Sequence, residues 1–438
     1  MFFALLFGKL LCRLFPPTSR RSALGTGVAL ALCPDLFSRL AVSGKILYVT
    51  GSDGKTSVGA MVTGMLRAAG CRVVTNCLHS GEAESVALAL VRASTLSGKV
   101  NCDYLVLEAD GRTSDAVLSL GKPAHILVTD LLSAHGPAAG RTEAVASLIS
   151  RAAGPETELI LNGMDPACIR LCPDRPRVFF GAAPSLFFAS ECKNLVNDGR
   201  ICPNCHHRLN YDFVLYHHIG RFSCPHCGLA APECEYLLSD FSLTEPRCSV
   251  NGTDFLTRPA ATYNYMNVTA AAALVCRATG CDAARAGELF AKTEALRSVY
   301  TQRAISGRRC IFYTCRPNNP VAFDRGLEYV ASHSETKTVL LYFGSDSAHE
   351  SIDCSWLYDV TFEFLKGHAE TLLCAGARGA DIAARLCYAG IPARSVSVIR
   401  NDRDLPAAVA SGRGPLYVLA DSRDSARIRG ILLIGGAK

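Results

Sequence analysis

The segment TGSDGKTS, Thr50–Ser57, carries residue types that bind nucleotide phosphates. Its glycines let backbone N–H groups wrap around a phosphate, and a helix beginning there would add its positive dipole end. Lys55 can reach the β and γ phosphates, and Thr56 can offer its hydroxyl to Mg²⁺. The segment fits the form TGxxGK[TS][TS] at every fixed position, whereas Val49 departs from the commoner GxxxxGK[ST] form. The candidate ATP-binding residues here are Gly51, Asp53, Gly54, Lys55, Thr56 and Ser57.

Apolar patterning places this segment between a strand and a helix. Residues 46–49 form a short apolar run with a strong preference for strand. After the loop, apolar residues recur at helical spacing, namely Val58, Met61, Val62, Met65 and Leu66. A phosphate-binding loop requires this strand–loop–helix order. The alternative is a glycine turn before a helix that carries an ordinary surface lysine.

Two Cys-x-x-Cys pairs predict a structural zinc site. Four thiolates at such spacing favour a closed tetrahedral Zn²⁺ centre, and the alternating residues between the pairs predict a hairpin. The zinc ligands are predicted to be Cys202, Cys205, Cys224 and Cys227. Because these thiolates complete the ligand set, nearby histidines are predicted to be surface or packing residues: His206, His207, His217, His218 and His226. The alternative is four structural cysteines without metal.

Composition indicates a globular protein of two or three domains. The 438 residues are 49% hydrophobic, and the net charge is only +6. Lysine and arginine are spread along the chain. The segment with the two cysteine pairs, called the ribbon below, therefore lacks the dense basic stripe of a nucleic-acid-binding protein. Most of the 21 cysteines stand singly in apolar runs, which favours buried thiols in a reducing cytoplasm over a disulfide framework.

The apolar N-terminal segment predicts a helix too short to span a bilayer. Helical spacing relates its apolar residues, which are Phe2, Leu5, Leu6, Leu10, Leu11 and Leu14. One alternative is an amphipathic helix packed on the protein. The other is a helix at the inner face of the membrane, with basic residues facing anionic lipid: Lys9, Arg13, Arg20 and Arg21.

The phosphate-loop variant resembles that of the Mur ligase superfamily, whose members use ATP to convert a carboxylate to an acyl phosphate that an amine attacks. The stretch YLVLEADG resembles the family strand that closes with a magnesium-binding glutamate, here Glu108. Mg²⁺ prefers such oxygen ligands. The resemblance therefore implies ATP and Mg²⁺, with Thr56 and Glu108 as magnesium ligands.

Three further stretches extend the resemblance and show departures from it. HILVTD ends in Asp130 where the family has asparagine, and the acidic segment expected after it is missing. ELILNGMDP keeps Asn162 and Asp165 of an Asn-x-Asp-Asp motif, but Met164 departs. The helix near the adenine is matched by Asn264 and Asn267, predicted ATP-binding residues for which helix capping is the alternative.

The inserted ribbon and the C-terminal part resemble, with some divergence, the MurT family, the ligase-like subunits of lipid II isoglutaminyl synthase. RPNNPVAF keeps the Asn-Pro of a family turn but lacks its lysine. A family signature is matched by Asp353, Ser355, Trp356, Asp359, Phe362 and Glu363, and upstream the chain departs from the family's Asp-Gly-Arg. The resemblance implies that Asp353 is catalytic and completes a Cys-His-Asp arrangement on a partner glutaminase, GatD, although Asp346 and Glu350 lie close by. The alternative is an aspartate that caps a turn.

The predicted fold class is α/β. A helical lead-in covers residues 1–42, and a Mur ligase-type ATP-binding domain covers residues 43–296, with the ribbon inserted at about 195–230. A C-terminal MurT-type, Rossmann-like α/β domain covers residues 305–438. Three strands there are predicted to be buried: Lys337–Gly344, Ser395–Arg400 and Gly414–Asp421. A crossover helix is predicted at Ala375–Gly390.

The resemblance implies an enzyme of peptidoglycan synthesis. Using ATP and ammonia from the GatD-type glutaminase, it would amidate the α-carboxylate of D-glutamate in lipid II to D-isoglutamine. Three alternatives remain: another Mur ligase such as a folylpolyglutamate synthetase-like enzyme, a diverged MurT paralogue kept as a scaffold, and a nucleic-acid-binding ribbon protein. The departures at Asp130, Met164 and residues 316–318 favour the scaffold, whereas the intact Lys55, Thr56 and Glu108 favour the enzyme.

Overall fold

The computed structural model describes residues 1–14, 23–77, 83–109, 118, 120–131, 141–185, 188–242, 245, 247–257, 262–293, 300–305, 307–315, 319–344, 354–422 and 424–435. The chain divides into two compact units. The first consists of Met1–Ser133, Gly140–Cys192 and Asp198–Leu296. The second consists of Ala134–Ala139, Lys193–Asn197 and Arg297–Lys438.

The first unit is built on a nine-stranded sheet with the strand order β13-β12-β11-β8-β7-β6-β2-β5-β3. Its strands are β2 (Lys45–Thr50), β3 (Val73–Thr75), β5 (Tyr104–Glu108), β6 (His125–Val128), β7 (Glu158–Asn162), β8 (Arg177–Ala182), β11 (Tyr236–Phe241), β12 (Arg247–Val250) and β13 (Thr253–Leu256). Neighbours from β3 to β11 are parallel, and β12 and β13 extend the sheet antiparallel. Strand β2 lies inside the sheet, which explains its almost continuous apolar sequence.

Two small strand pairs accompany this sheet. Strand β1 (Ala41–Val42) pairs in parallel with β4 (Lys99–Val100). Strands β9 (Asn210–Tyr216) and β10 (Ile219–Ser223) form an antiparallel hairpin in the segment between β8 and β11. The hairpin predicted between the two cysteine pairs is therefore confirmed.

Seven helices of the first unit lie within the described residues: α1 (Phe2–Leu14), α2 (Ala23–Leu32), α3 (Lys55–Ala68), α4 (Ala83–Ala93), α5 (Arg141–Ala152), α6 (Thr262–Thr279) and α7 (Ala283–Ala291). The apolar residues that predicted a helix after the phosphate loop all lie on the buried side of α3. The N-terminal lead-in belongs to a different hydrophobic cluster of the first unit, in which Ala4 and Leu5 of α1 lie with Val86 and Val91 of α4.

The contact face of α1 differs from its predicted apolar stripe. Its buried residues are Ala4, Leu5, Gly8 and Cys12, whereas Phe2, Leu6, Leu10 and Leu14 are exposed. The small side chains form the packed face because they let α2 approach closely. Within the described residues, no helix combines the length and the apolar character needed to cross a membrane.

The second unit contains a six-stranded sheet with the order β14-β15-β19-β16-β17-β18. Its strands are β14 (Tyr300–Ile305), β15 (Arg308–Cys315), β16 (Thr338–Tyr342), β17 (Thr371–Ala375), β18 (Val396–Ile399) and β19 (Leu416–Asp421). Only β14 runs antiparallel, so the prediction of a second, mostly parallel sheet is confirmed. Its described helices are α8 (Pro320–Ala331), α9 (Gly379–Tyr388), α10 (Leu405–Ala410) and α11 (Ser425–Gly435).

The crossover-helix prediction holds, because α9 connects the parallel neighbours β17 and β18. The prediction of a buried strand at Ser395–Arg400 is wrong about burial. Strand β18 lies at the sheet edge and leaves Ser397 and Val398 exposed. A short run of β-branched residues fits an edge strand as well as a central one, so the sequence does not separate the two positions.

Candidate active site and metal centre

The loop between β2 and α3 requires glycine at two positions. Gly51 has φ 133° and Gly54 has φ 80°, both in the region that disfavours residues with a side chain. A β carbon at Gly51 would lie 2.2 Å from Thr129 Oγ1, and one at Gly54 would lie 2.4 Å from Asn267 Oδ1. The loop is thus held against both neighbouring segments.

Lys55 begins α3 and lies over the loop. Its buried ammonium Nζ donates hydrogen bonds to the carbonyl oxygens of Gly51 at 2.7 Å and Ser52 at 3.1 Å. This places a positive charge beside the N-terminal N–H groups of a 14-residue helix. A helix start combined with a fixed cation favours a phosphate group.

Thr56 and Glu108 come together at the carboxyl ends of β2 and β5. The Thr56 hydroxyl donates to Glu108 Oε2 at 2.8 Å. Asn76 holds the backbone around Glu108, because it accepts from the Glu108 N–H at 2.8 Å and donates to the Glu108 carbonyl at 3.1 Å. Adjacent ligands of an octahedral Mg²⁺ lie about 2.9 Å apart, so the two oxygens fit that ion.

Asp130 supports the phosphate loop from the end of β6. Its Oδ1 accepts hydrogen bonds from the Ser52 N–H at 3.1 Å and the Asp53 N–H at 2.9 Å. An asparagine side-chain oxygen could accept the same bonds. The departure from the Mur ligase asparagine therefore keeps the loop's acceptor and adds a negative charge.

Asn162 and Asp165 order the neighbouring strand ends. Asn162 Nδ2 donates to the Thr129 carbonyl at 2.9 Å, and Asp165 Oδ2 accepts from the Leu131 N–H at 2.6 Å. Burial alone would raise the pKa of Asp165, but His218 and the N–H groups of Leu131 and Ala167 hold this pKa below its usual value. Both residues act through hydrogen bonds inside the protein.

Met164 has a packing role where the Mur ligase motif has aspartate. Its side chain is buried and fills the space over Gly181, where an added β carbon would lie 2.6 Å from Met164 Cε. Its carbonyl accepts a hydrogen bond from the Gly220 N–H at 3.0 Å. An apolar side chain suits this position, because an unpaired carboxylate would be costly there.

Asn264 and Asn267 lie on the buried face near the start of α6. Asn267 is the sixth residue of this helix, so it is not an N-cap, and its amide group packs against Gly54. Asn264 lies one helical turn before it. This geometry places Asn267 at the phosphate loop.

The four predicted zinc ligands form one cluster. The ligand atoms of Cys202, Cys205, Cys224 and Cys227 all lie within 4.8 Å of one another. Two of the Sγ–Sγ distances are 3.6 and 3.5 Å. Sulfurs bound tetrahedrally to Zn²⁺ at ~2.3 Å lie about 3.8 Å apart. The spacing of this cluster therefore fits zinc.

The two Cys-x-x-Cys turns repeat the same backbone pattern. In the first, the Cys202 carbonyl accepts from the His206 N–H, and the Cys202 N–H donates to the His207 carbonyl. In the second, Cys224 makes the corresponding bonds with Gly228 and Leu229. The residue after the second cysteine has positive φ in each turn, 61° at His206 and 74° at Gly228.

The histidines near the cluster occupy different environments. His206, His207 and His226 are exposed, and the rings of His207 and His226 stack at 3.7 Å. His218 is buried, and its Nε2 lies 3.6 Å from Asp165 Oδ1. The ribbon hairpin thus touches the residue that orders the end of β6 beside the phosphate loop.

Among the C-terminal signature residues that the structure describes, Trp356 and Phe362 are buried, Asp359 is half-buried, and Ser355 and Glu363 are exposed. Trp356 is buried and packs against Phe323 and Phe343, with ring centroids 5.3 and 5.5 Å apart. Glu363 accepts from Arg385 Nη2 at 2.9 Å. Asp353, the predicted catalytic residue, lies outside the described residues, as do residues 316–318, Asp346 and Glu350.

Two contacts in the second unit fix the segments around this signature. Asn319 caps α8 by accepting from the Ala322 N–H at 3.1 Å, with Pro320 as the first helical residue. Buried Asp324 accepts from the Thr361 N–H at 2.6 Å and from Asn194 Nδ2 at 2.9 Å. The Asn-Pro of the MurT-like turn therefore begins a helix.

Sequence reasoning did not identify the roles of Asn76 and His218. Asn76 follows the edge strand β3, and its position after a strand was the available signal. His218 had no comparable signal, since its partner Asp165 is far away in sequence and the two meet only through the fold.

Comparisons with known proteins point to one group. Residues 317–421 match the family model described as MurT ligase C-terminal. The chain is 26% identical, over 87% of its length, to the lipid II isoglutaminyl synthase (glutamine-hydrolyzing) subunit MurT of Streptococcus pneumoniae, and the match covers 85% of that relative. The predicted resemblance to MurT subunits is confirmed.

Solved structures agree on the architecture. A pseudomurein peptide ligase type C from Methanothermus fervidus has a TM-score of 0.69 and 15% identity, over 90% of this chain and 79% of that one. MurF ligase from Thermotoga maritima in complex with ADP has a TM-score of 0.57 and 13% identity, over 93% of this chain and 82% of that one. The MurT-like chain has the Mur ligase-like α/β fold.

Proposed function

We propose that this chain is the ATP-dependent ligase subunit of a lipid II isoglutaminyl synthase. ATP would phosphorylate the α-carboxylate of D-glutamate in the lipid II stem peptide. Ammonia from glutamine would attack the acyl phosphate, and the products would be D-isoglutamine, ADP and phosphate. The observation that carries the proposal is the intact phosphate site, Lys55 with Thr56 and Glu108, in a chain similar to MurT along 87% of its length.

The residues around the phosphate loop have separable roles in this reaction. Lys55 and the first N–H groups of α3 would hold the phosphates, and Asn267 would border the nucleotide beside Gly54. Thr56 and Glu108 would hold Mg²⁺, which supplies charge compensation during phosphoryl transfer. Catalysis of this kind rests mostly on positioning and electrostatics, so Asp130 and Asp165 contribute by fixing the loop.

We infer that the four-cysteine cluster binds zinc as a structural centre. Four sulfur ligands leave no open position for a substrate, which separates such a site from a catalytic one. The contact between His218 and Asp165 gives the ribbon a role in ordering the phosphate site. The thiolates require a reducing environment, so the cytoplasm is the proposed location.

The ammonia source is proposed to be a GatD-type glutaminase bound as a second subunit. Asp353, next to the described helical turn Ser355–Tyr358, would orient the catalytic histidine of that glutaminase. We regard the second unit, with its five parallel strands in the order β15-β19-β16-β17-β18, as the Rossmann-like domain that carries this residue. Changing Asp353 to asparagine should lower glutamine hydrolysis while ATP binding persists.

The decisive experiment is amidation by the complex purified with a GatD-type glutaminase. Lipid II, ATP, Mg²⁺ and glutamine would be supplied, and mass spectrometry would follow the OH-to-NH₂ exchange. Lys55→Ala should abolish the product. The matched control is Lys45→Ala at the opposite end of β2, where the ammonium contacts the Ala278 carbonyl. This control should keep activity.

A second candidate is a scaffold subunit without catalysis, which the added charge at Asp130 favours. A stable complex that neither turns over ATP nor forms product would establish this alternative. Product formation that survives Lys55→Ala would contradict both candidates, because phosphoryl transfer would then occur elsewhere.

A further inference from the structure

The first two helices expose many large apolar side chains to solvent. This surface, the outer face, consists of Phe2, Phe3, Leu6, Phe7, Leu10 and Leu14 of α1 and Leu24, Val28 and Leu32 of α2. Elsewhere in the described part of the chain, large exposed apolar residues stand apart in sequence, as Leu195, Leu256 and Tyr388 do. A soluble surface rarely concentrates such side chains unless they contact something.

In the packing between α1 and α2, small residues lie in the contact and large apolar residues face outward, which is the reverse of a helix pair in water. Small residues fill the contact, since a β carbon at Gly25 would lie 2.5 Å from Cys12 Sγ and one at Gly8 would lie 2.9 Å from Ala29 Cβ. The large side chains point outward instead. Small residues inside and large apolar residues outside is the arrangement that helices adopt in lipid.

The charge of the same segment is exclusively positive. Residues 1–34 contain Lys9, Arg13, Arg20 and Arg21 and no aspartate or glutamate. Arg13 is exposed in the last turn of α1, next to Leu14 of the outer face. Lys9 instead donates to the Arg92 carbonyl at 2.8 Å, so Arg13 is the described basic residue beside the outer face. A basic residue beside an apolar helix face matches an anionic lipid surface.

The helix lengths exclude a transmembrane arrangement for this pair. Helices α1 and α2 have 13 and 10 residues. At 1.5 Å per residue they are about 20 and 15 Å long, shorter than the ~30 Å hydrocarbon core of a bilayer. Such helices can lie in the interface with one face in the acyl boundary.

We propose that the outer face docks this protein onto an anionic lipid bilayer. The apolar side chains enter the acyl boundary, and exposed Arg13 contacts the headgroups. The opposite side of the pair stays on the protein, because Ala4, Leu5 and Cys12 belong to the core of the first unit. This inference does not depend on the proposed reaction.

The test is sedimentation of the full chain with lipid vesicles that contain no lipid II. Vesicles of phosphatidylcholine with phosphatidylglycerol are compared with vesicles of phosphatidylcholine alone. The double variant Phe3→Ser, Leu14→Ser changes side chains that are 66% and 65% exposed, so folding should be preserved. The control Leu256→Ser changes a side chain that is 67% exposed on β13.

Docking predicts binding to the anionic vesicles, reduced at least ~10-fold by the double variant and unchanged by the control. Arg13→Gln should reduce binding about 5-fold at low ionic strength. Absence of wild-type binding, or equal binding by the double variant, would overturn the proposal. The proposal would also be overturned if the wild-type protein formed a dimer that did not bind vesicles and if the double variant were monomeric. A second copy of the chain would then cover the outer face.

Discussion

The phosphate loop and the C-terminal signature are both matched by sequence motifs, but their residues do different work. At the loop, Thr56 is exposed and stands beside Glu108 where a ligand can reach it. In the signature, Trp356 and Phe362 are buried in the second unit's interior. Burial alone does not separate the two regions, because Lys55 and Glu108 are buried as well. They differ in chemistry: the buried loop residues are charged and can interact with a nucleotide or metal, whereas Trp356 and Phe362 are apolar and pack.

The largest expected effect is at Glu108. Changing Glu108 to glutamine keeps the hydrogen bond to Thr56 but removes the charge that attracts Mg²⁺, so ATP turnover should fall on the order of 10³-fold. Steady-state phosphate release at several Mg²⁺ concentrations measures this. Glu288→Gln, which changes an exposed side chain on α7, serves as the control. Full activity of the Glu108 variant would contradict the proposal that the phosphate loop and Glu108 carry out ATP turnover.

Loss of packing around the signature's Trp356 should lower the stability of the second unit and leave ATP binding unchanged. Phe323→Ala removes a fully buried ring that packs on Trp356, and unfolding of the second unit should require about 3 kcal/mol less free energy. Trp356 is the chain's single tryptophan, so its fluorescence reports this unit during urea titration. The Kd for ATP should stay within about twofold. A large loss of ATP affinity would contradict the contrast between the two regions.

The stability of the second unit should also depend on pH through a buried carboxyl group, Glu328. Burial raises the pKa of Glu328 to about 7, with buried Asp324 beside it. A carboxyl whose pKa is raised by folding favours the folded state below its unfolded pKa, and this advantage is lost as pH rises through about 7.

Glu328→Gln keeps an acceptor for Asn194 and should stabilise the second unit by about 2 kcal/mol at pH 8. At pH 4 it should have little effect. Tryptophan fluorescence at both pH values checks this, with exposed Glu370→Gln as the control. Equal stabilisation at both pH values would mean that ionisation of Glu328 is not the cause.

The ribbon should influence the phosphate loop modestly. His218→Ala removes the ring beside Asp165 and should weaken ATP binding about fivefold, because Asp165 orders Leu131 next to Asp130. Isothermal titration with ATP analogues measures this. His226→Ala, which removes an exposed ring beside the cysteine cluster, is the matched control. Equal ATP affinities of the two variants would show that the ribbon does not influence the phosphate loop through His218.

The smallest effect is expected at Asp130. Asp130→Asn keeps the oxygen that accepts from Ser52 and Asp53 but removes a negative charge near the phosphates. ATP affinity should rise about threefold, less at high ionic strength. Weaker binding by the asparagine variant would show that the carboxylate charge itself is needed to hold the loop.

The sequence predicted local elements well where pattern and motif agreed. The order β2, loop, α3 followed from glycines and apolar spacing, the hairpin followed from the alternating residues between the cysteine pairs, and the cysteine cluster followed from the spacing of those pairs. Long-range contacts were beyond such reasoning. The contact between His218 and Asp165 depends on the whole fold, and the outer face of α1 became visible only when small residues proved to be the packed ones.

The cysteine hairpin also connects two parallel neighbours in the sheet, β8 and β11, where a helix is the usual crossover. A chain without metal has to close the whole segment 183–235 before β11 can add to the sheet, and the entropy of closure grows with the length of the loop. Metal bound early would draw the middle of that segment together. With the proposed zinc bound, β11 and the antiparallel edge strands β12 and β13 would join the sheet after closure of a shorter free loop, at a lower entropic cost.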